Sequence, residues 1–261
     1  MEKTPKGPEH TAHRKHASRG DRAGSAVGRP QGQFRVDASG QATYRFPIEV
    51  PPGTAGAQPS LDLVYSHRLR NGVVGVGWSV SGLSAITRAK PSYAVDGFSG
   101  PITNTAKDRF ILDGQRLVNM RGDYGAPGTI YNTEMQSWRF VVASAEPGGG
   151  FIVSTQSGAT WEYGMTADSR VLVAGTETVR VWALNATVDR NGNRTEFHYT
   201  RAPRSADGVR GEPDEGMVYI DTIAYSMNEG QAAQRSVKFT YEPRPDPILE
   251  FSGGASVSTR P

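Results

Sequence analysis

QATYRFPIEVPPGT at residues 41–54, followed by GVGWSVSGL at residues 75–83, is the stretch that decides the fold of this chain. From Ala42 to Val50 apolar and polar residues alternate, which predicts a half-buried β-strand. The Pro-Pro-Gly run ends that strand, because proline lacks the N–H that a sheet ladder needs and glycine permits positive φ. Neither part contains a motif for a nucleophile, a metal or a phosphate group. We therefore interpret the stretch as scaffold.

The same alternation recurs along most of the chain, and no segment carries a helical apolar stripe over three turns. The sequence therefore predicts an all-β fold, a multi-strand antiparallel meander with little helix. Asp113-Gly114 predicts a type I′ turn, and Asn71-Gly72 and Asn191-Gly192 predict hairpin turns. The predicted strands cover residues 34–36, 42–50, 61–65, 84–88, 109–112, 115–118, 137–142, 150–154, 159–163, 179–184, 186–188, 194–199, 220–225 and 236–241.

Charge separates a tail from a body. Residues 1–32 hold seven Lys/Arg and three Asp/Glu, a net charge of +4, whereas the rest of the chain is at −1. We predict that residues 1–32 are a disordered basic tail and that residues 33–261 form a β domain. A nearly neutral domain lacks the net positive charge that nucleic-acid binding usually requires. A metal-binding tract at His10, His13 and His16 is the less favoured interpretation of the tail.

Several classes of protein are excluded by what the sequence lacks. The chain has no cysteine, which excludes disulfides, zinc fingers and thiol chemistry. No apolar run approaches the ~20 residues that span a bilayer. The basic N-terminus is not followed by the apolar segment of a cleavable signal peptide, so we expect any export to use another route.

Two short motifs resemble functional loops. Asp189, Asn191 and Asn193 place oxygen ligands at alternate positions, as calcium loops do, but the twelfth position is Thr200 rather than Glu. We favour a hairpin turn whose two central residues both take positive φ, with calcium as the alternative. Around Trp78 the glycine spacing fits neither a nucleophile elbow nor a dinucleotide loop. There we expect Gly75 and Gly77 to permit a bend and Trp78 to fill the core.

Few other side chains suggest chemistry. His67 and His198 are the only histidines beyond the tail, and neither has a Ser or Asp at a motif spacing. We expect His198 to face outward from a strand. Glu212, Asp214 and Glu215 lie in a Gly/Pro-rich loop and are interpreted as solvent-facing, although a glycosidase pair stays open because such pairs converge only in three dimensions. We predict no catalytic residue, no cofactor and no metal site.

Four blocks of sequence carry a resemblance to a known family. They are residues 42–88 with PIEVPPGTAG, GVGWSVSGLS and ITR, residues 108–118 with DRFILDGQRLV, residues 182–193 with WAL and DRNGN, and residues 241–254 with YEPRPD and GG. In this order they resemble the N-terminal region of SpvB-type virulence proteins, which the B subunits of insecticidal Tc toxin complexes share. The resemblance covers about residues 33–261. It departs at Ile111, where relatives often carry cysteine.

The resemblance implies a β-sheet wall rather than a toxic activity. Tc B subunits and their C partners build a hollow shell of Rhs/YD-repeat type around a cytotoxic effector, and a β-propeller docks that shell onto a pore-forming subunit. In SpvB-type proteins a C-terminal domain ADP-ribosylates actin. We therefore expect a non-enzymatic structural segment of a secreted virulence protein, incomplete at Pro261 and derived from a truncated or split reading frame.

The same resemblance implies the partners and the location. The expected partners are the rest of the shell, the effector and the pore-forming subunit, with neither nucleic acid nor direct membrane insertion. The protein would reside in the bacterial cytoplasm before export and outside the cell afterwards.

Two other classes of function compete with the shell segment. A stand-alone surface module would bind carbohydrate or protein through exposed aromatic residues, but aromatics at period two are usually cross-strand core pairs. An ADP-ribosyltransferase would need a Glu-x-Glu turn, and the sequence contains none. The shell segment is the favoured hypothesis.

Overall fold

The computed structural model describes residues 32–36, 40–69, 71–72, 74–146, 149–173, 175–201, 218–228, 230–242, 248–252 and 255–259. All of them belong to one compact unit, residues 31–261. The predicted tail with its three histidines, apart from Gly32, lies outside the described residues. So do Glu212, Asp214 and Glu215, and the predictions made for these segments stay predictions.

The described part of the chain is built from twenty β-strands, one short helix and one 3-10 turn, and every strand pair is antiparallel. The predicted all-β antiparallel fold is confirmed. The helix is α1 (Tyr93–Asp96) and the 3-10 turn is Thr54–Gly56. The strands are β1 (Gln33–Val36), β2 (Ala42–Ile48), β3 (Leu61–Ser66), β4 (Asn71–Gly72), β5 (Gly75–Val76), β6 (Trp78–Ser81), β7 (Ala85–Ala89), β8 (Arg109–Leu112), β9 (Gln115–Arg121), β10 (Ile130–Thr133), β11 (Phe140–Ala143), β12 (Phe151–Ser154), β13 (Thr160–Tyr163), β14 (Arg170–Leu172), β15 (Val179–Val188), β16 (Arg194–Thr200), β17 (Tyr219–Met227), β18 (Arg235–Lys238), β19 (Ile248–Ser252) and β20 (Ala255–Thr259).

The opening stretch forms the middle and one edge of a four-stranded sheet in the order β1-β2-β3-β6. Its register places Phe34, Tyr44, Tyr65 and Trp78 in one row across all four strands. Since side chains alternate between the faces of a strand, this row makes one face of the sheet aromatic. The rings of Tyr65 and Trp78 lie 5.2 Å apart.

The strands from β7 to β13 form a continuous meander that β15 closes into an eight-stranded barrel. β13 pairs with β15 through Tyr163 and Leu184, and β7 pairs with β15 through Ile86 and Trp182. Closure removes free edges from these strands, and an eight-stranded barrel is narrow enough for side chains to fill it. The sequence predicted the meander but not its closure.

Strand β15 can close the barrel because it uses each of its edges twice. On one edge it pairs with β13 and then with β14, so that Ala186 faces Glu162 and Trp182 faces Arg170. On the other edge it pairs with β7 and then with β16. Strands β16, β17 and β18 continue from this second edge as an open antiparallel sheet outside the barrel.

The barrel interior holds the core. Phe110, Phe151 and Trp182 meet edge to face with ring centroids 5.1 to 5.4 Å apart. Tyr131, Val141 and Val153 are fully buried in a second row, which reaches Trp161 on β13. Edge-to-face packing adds to the burial of these large side chains, so this cluster provides most of the barrel's apolar packing.

The turns agree only in part with the predictions. Asp113 and Gly114 have φ of 49° and 81°, the pair of positive values that defines the predicted type I′ turn. At the hairpin of β15 and β16 only Gly192 has positive φ, so the expected turn with two positive φ values is wrong there. Asn71-Gly72 is also not a turn: it forms β4, which pairs with β5.

Other departures concern strands and the tryptophan of the opening stretch. The strands β5, β6, β10, β14, β19 and β20 have no counterpart among the predicted strands, and β18 ends at Lys238 rather than at 241. The predicted bend at Gly75 and Gly77 is confirmed by φ of 117° and 79°. Trp78 is half-buried against Phe46 and Tyr65 on the four-stranded sheet and lies outside the main core cluster, so the prediction that it fills the core is wrong.

Candidate functional site

Three polar side chains meet at one end of the barrel, where β7 begins and β8 turns into β9. The Ser84 hydroxyl donates to Asp113 Oδ1 at 2.7 Å and lies 2.8 Å from the Tyr163 hydroxyl. Because the single Ser84 hydrogen is used on Asp113, the Tyr163 hydroxyl donates to Ser84. The Ala85 N–H also reaches Asp113 Oδ1, at 3.3 Å. The cluster thereby fastens the start of β7 to the neighbouring turn.

The charge state of this cluster follows from its burial. Burial raises the pKa of the Tyr163 phenol well above its usual range, so the phenol stays neutral and remains a donor. Arg139 places Nη1 at 3.5 Å from Asp113 Oδ2 and its guanidinium 4.9 Å from the centre of the Trp161 ring. The Asp113 carboxylate thus lies between the Ser84 hydroxyl and the Arg139 guanidinium.

A cleft of about 630 Å³ opens beside the cluster. Its lining includes residues 55–60, which follow the Pro-Pro-Gly-Thr stretch, and Trp161, Leu184 and Phe197 from β13, β15 and β16. Ser84 and Asp113 also line it. The cleft is mainly apolar with a few polar groups, which is the usual character of a small-ligand or peptide site.

The geometry does not assemble a hydrolytic centre from the described residues. A serine nucleophile needs a base within hydrogen-bond reach, most often histidine. His67 accepts the Ala42 N–H through Nδ1 at 3.2 Å in the four-stranded sheet, and His198 lies 3.6 Å from Glu196 on β16. His198 is half exposed, so its predicted outward orientation is confirmed. Neither imidazole hydrogen-bonds to Ser84.

In the turn between β15 and β16, the Asp189 carboxylate accepts hydrogen bonds from the turn itself, as in a hairpin, rather than being free for a calcium ion. Asp189 Oδ1 accepts the N–H groups of Asn191 and Asn193 at 2.8 and 2.9 Å, and Oδ2 accepts Asn193 Nδ2 at 2.7 Å. Asn228 Nδ2 in turn donates to Asn191 O and Asn193 Oδ1. These oxygens already serve as acceptors that close the turn, and Thr200 lies at the far end of β16.

Electrostatics support the hairpin interpretation of this turn. Burial would raise the pKa of Asp189, but the hydrogen bonds from Asn193 and Asn191 outweigh it and lower that pKa below its usual range. Among the described residues, no three His, Asp or Glu side chains come close enough together to hold a metal ion. No helix in the described part of the chain is long and apolar enough to cross a membrane.

The outer face of the barrel is largely apolar from β10 to β12, whereas β9 adds the exposed Arg121 opposite Ile130. The inward residues of these strands, such as Leu117, Tyr131, Val141 and Val153, are buried, so their neighbours point outward. The outward residues of β10, β11 and β12 carry no charge: they are Ile130, Asn132, Phe140, Val142, Ile152 and Ser154.

Five large apolar side chains stay exposed on or beside this face, and we call them the outer-barrel patch. They are Met120 (60% exposed), Met135 (66%), Trp138 (57%), Phe140 (54%) and Ile152 (37%). Trp138 was expected inside a strand over residues 137–142, but β11 begins only at Phe140 and Trp138 has φ of 54° in the loop before it. The patch therefore escaped the sequence pattern, although the cluster of Met, Trp and Phe was its available signal.

Comparison with known proteins gives one family match and several structural matches. Residues 36–150 match the family model described as Salmonella virulence plasmid 65kDa B protein, SpvB. A search of curated protein sequences found no match.

The structural matches cover most of the described fold. A crystal structure of TcdB2-TccC3 has a TM-score of 0.70 at 15% identity, over 88% of this chain and 13% of that one. The Photorhabdus luminescens Tc holotoxin pore has a TM-score of 0.66 at 16% identity, over 88% of this chain and 13% of that one. The N-terminal domain of the effector SpvB from Salmonella typhimurium strain LT2 has a TM-score of 0.60 at 18% identity, over 82% of this chain and 84% of that one.

At such identities the structural likeness shows a shared fold. The chain spans about an eighth of the length of the Tc chains that it matches. It spans most of the length of the solved SpvB domain.

Proposed function

Because residues 36–150 are an SpvB domain, we propose that this chain is a non-catalytic structural segment of a bacterial toxin-complex protein, contributing β-sheet to a shell that encloses a toxic effector. The observation that carries the proposal is the recurrence of the described fold, over 88% of this chain, in TcdB2-TccC3. The proposed partners are the rest of the shell, the effector and the pore-forming subunit.

The sheet edges supply the physical means of joining a larger wall. Within the described strands, β18 pairs only with β17 and β1 pairs only with β2. The backbone N–H and C=O groups along such an edge can pair with a strand from another polypeptide segment. The cluster of Ser84, Asp113 and Tyr163 supports the same proposal, because its hydrogen bonds join neighbouring strands and leave the serine without an imidazole base.

Co-expression tests the shell directly. The full chain is produced with a candidate Rhs-type shell component and its effector, and the mixture is separated by size and then treated with protease. We expect one complex in which the effector survives proteolysis, whereas the effector alone is degraded. Separate elution together with complete degradation of the effector would contradict the proposal.

The proposal includes export without a cleavable signal peptide. Fractionation of a producing culture should find the full-length chain in the medium with its N-terminal residues intact. An amino-terminal sequence that begins at an internal residue would show instead that a leader is removed.

A second candidate function has one observation in its favour: Trp138 and Phe140 are more than half exposed. Exposed aromatic rings can stack on sugar rings, so the chain would act as a stand-alone carbohydrate-binding module. A glycan array separates this candidate from the shell. Saturable binding that Trp138→Ala abolishes would favour the module, and an empty array would leave the shell as the explanation.

A further inference from the structure

We propose that Met120 and Met135, the two methionines of the outer-barrel patch, are sites of reversible oxidation, and that their sulfoxides make the patch more polar. The inference goes beyond the proposed function and does not depend on it. It starts from the exposure of the two side chains, 60% for Met120 and 66% for Met135. Susceptibility to oxidation follows the access of the oxidant to the sulfur, so exposed methionines react first.

The reaction needs only water-soluble oxidants of the peroxide class. The lone pair of Met Sδ attacks one oxygen of hydrogen peroxide, the O–O bond breaks and an S–O bond forms, while the second oxygen leaves as water. The sulfur is oxidised by two electrons and the peroxide is reduced by two. The product is methionine sulfoxide, which is polar and chiral, and methionine sulfoxide reductases convert it back to methionine.

Met120 lies at a β-bulge in β9. Arg121 pairs with Ile130 on β10. The next pair joins Asn119 to Tyr131, so the register between these two strands shifts past Met120. A bulge bends its strand and re-aims the side chain of the extra residue. The exposure of Met120 is therefore built into the pairing of β9 with β10.

Met135 lies in the loop after β10, where hydrogen bonds fix the main chain. The Thr133 hydroxyl donates to Met135 O at 2.7 Å, and the Glu134 N–H donates to Arg116 O at 2.8 Å. Both bonds use main-chain oxygens as acceptors, and the thioether side chain stays exposed. The exposure of Met135 is thus a property of the folded chain.

Met165 provides a comparison within the same chain. It is only partly exposed, and a Cβ built on the buried Gly150 would lie 2.7 Å from its Sδ. The sulfur of Met165 therefore packs closely against the main chain, and a new oxygen atom on it would crowd its neighbours. We expect the fold to slow oxidation at this position.

Oxidation of both exposed methionines changes two of the five apolar side chains of the patch. A sulfoxide oxygen accepts hydrogen bonds from water, so burying it against an apolar partner costs free energy. The apolar surface that remains is that of Trp138, Phe140 and Ile152. An oxidising environment thus weakens apolar contacts of the patch, while the filled interior of the barrel stays as it is.

Peptide mapping of the full chain tests the order of oxidation. Trypsin places Met120, Met135 and Met165 on separate peptides, which are residues 117–121, 122–139 and 140–170. Limited hydrogen peroxide should add an oxygen atom to Met120 and Met135 at least about fivefold faster than to Met165. In urea, where the fold is lost, the three rates should become similar. Oxidation of Met165 in the folded chain as fast as that of Met120 and Met135 would overturn the proposal.

Retention on a phenyl column tests the change in polarity. Oxidation should lower the retention of the wild-type chain but not that of the double variant Met120→Leu/Met135→Leu, because leucine is apolar and has no sulfur. The variant keeps every other methionine, so it also controls for oxidation elsewhere, and circular dichroism checks that it is folded. The two reductases, one for each sulfoxide epimer, should restore the wild-type retention. An equal loss in both proteins, no loss in the wild type, or a loss that the reductases do not reverse would each contradict the proposal.

Discussion

Arg194 on β16 links its strand to β13, across β15, through one side chain. Its Nη1 and Nη2 donate to the two carboxylate oxygens of Glu162 at 2.9 and 3.1 Å, and its Nε donates to Glu196 at 2.8 Å. Glu162 lies on β13 and Glu196 on β16, with β15 between them. A fork of this kind is specific to guanidinium, because a lysine ammonium cannot bond two carboxylates in the same fixed geometry.

We predict that Arg194→Lys lowers the free energy of unfolding by about 1 kcal/mol, a value reduced for the solvent exposure of this ion cluster. Urea unfolding at low and high salt measures the loss, which should shrink as salt screens the charges. Arg190→Lys, an exposed position in the adjacent turn, is the control and should change nothing. Equal stability of both variants would show that the fork contributes nothing specific.

Asp96 is a second charge whose surroundings make a pH prediction possible. The carboxylate is nearly buried, 2.6 Å from Arg109 Nε and 3.1 Å from Arg116 Nη1, and it accepts the Ser92 N–H at 2.7 Å. Burial alone would raise the pKa of Asp96, but the Ser92 hydrogen bond and the two guanidinium groups outweigh it and lower that pKa. The folded state therefore binds a proton at this site less readily than the unfolded state does.

The sign of the pH dependence follows from that lowered pKa. The contribution of Asp96 is complete above the unfolded pKa of about 3.9 and is lost as pH falls through the folded value. We predict that Asp96→Asn costs about 2 kcal/mol at neutral pH and progressively less below pH ~4. Guanidinium unfolding at a series of pH values measures both effects. A mutational cost that does not shrink in acid would contradict the assignment.

At the scale of elements, the bend between β5 and β6 depends on one backbone position. Gly77 has φ of 79°, and a Cβ there would lie 2.6 Å from the Tyr65 ring and 3.1 Å from Ser66 O. Its own carbonyl accepts the Ser66 N–H at 2.8 Å. The bend therefore needs glycine for two reasons. Its backbone takes positive φ, and the neighbouring strand leaves no room for a Cβ.

We predict that Gly77→Ala destabilises the chain by about 2 to 4 kcal/mol, more than Gly114→Ala, which should cost about 1 kcal/mol. The control is matched, since Gly114 has φ of 81° but no atom within 4 Å of its would-be Cβ. Both glycines have similar positive φ, so the difference between the variants reports the crowding of the new Cβ against the Tyr65 ring and Ser66 O. Thermal unfolding measures the two, and similar melting temperatures would show that the close approach relaxes at little cost.

The elements that the sequence predicted are those with a strong local signal. Alternation predicted β2, β3 and β8, and Asp-Gly predicted the turn between β8 and β9. β14 has only three residues, Arg170–Leu172, and β10 reads Ile-Tyr-Asn-Thr with little alternation. Such short strands are specified by their neighbours, since β14 exists only by pairing with β15.

The same limit applies to the candidate site. The motifs in the sequence predicted no cluster at Ser84, Asp113 and Tyr163, because Ser84 and Tyr163, 79 positions apart, meet only after the barrel closes. Trp138 escaped for a different reason: its neighbours alternate like a strand, but Thr133 and Ser137 hold the loop in another conformation. Tertiary contacts decided both places.

At the scale of the whole molecule, the Pro-Pro-Gly segment connects the four-stranded sheet to the sheet that extends from the barrel. The Tyr225 hydroxyl donates to Pro51 O at 2.7 Å, and the Thr54 N–H donates to Ser226 Oγ at 3.1 Å. Both partners lie on β17, more than 170 positions along the chain. Burial also raises the pKa of Tyr225, which keeps the phenol a neutral donor.

These two hydrogen bonds predict that the sheets unfold together. Tyr225→Phe removes one bond without changing the ring, and it should lower the free energy of unfolding by about 1 kcal/mol. Trp78 belongs to the four-stranded sheet, whereas the other three tryptophans lie on barrel strands or in the loop between β10 and β11. Unfolding followed by fluorescence therefore reports on the barrel in a Trp78→Phe background, and on the four-stranded sheet in a background in which Trp138, Trp161 and Trp182 are all changed to Phe. We expect Tyr225→Phe to shift both curves equally, whereas the exposed Tyr93→Phe should shift neither. A shift confined to one background would mean that the parts unfold independently, and the shared segment would then be a tether rather than a structural joint.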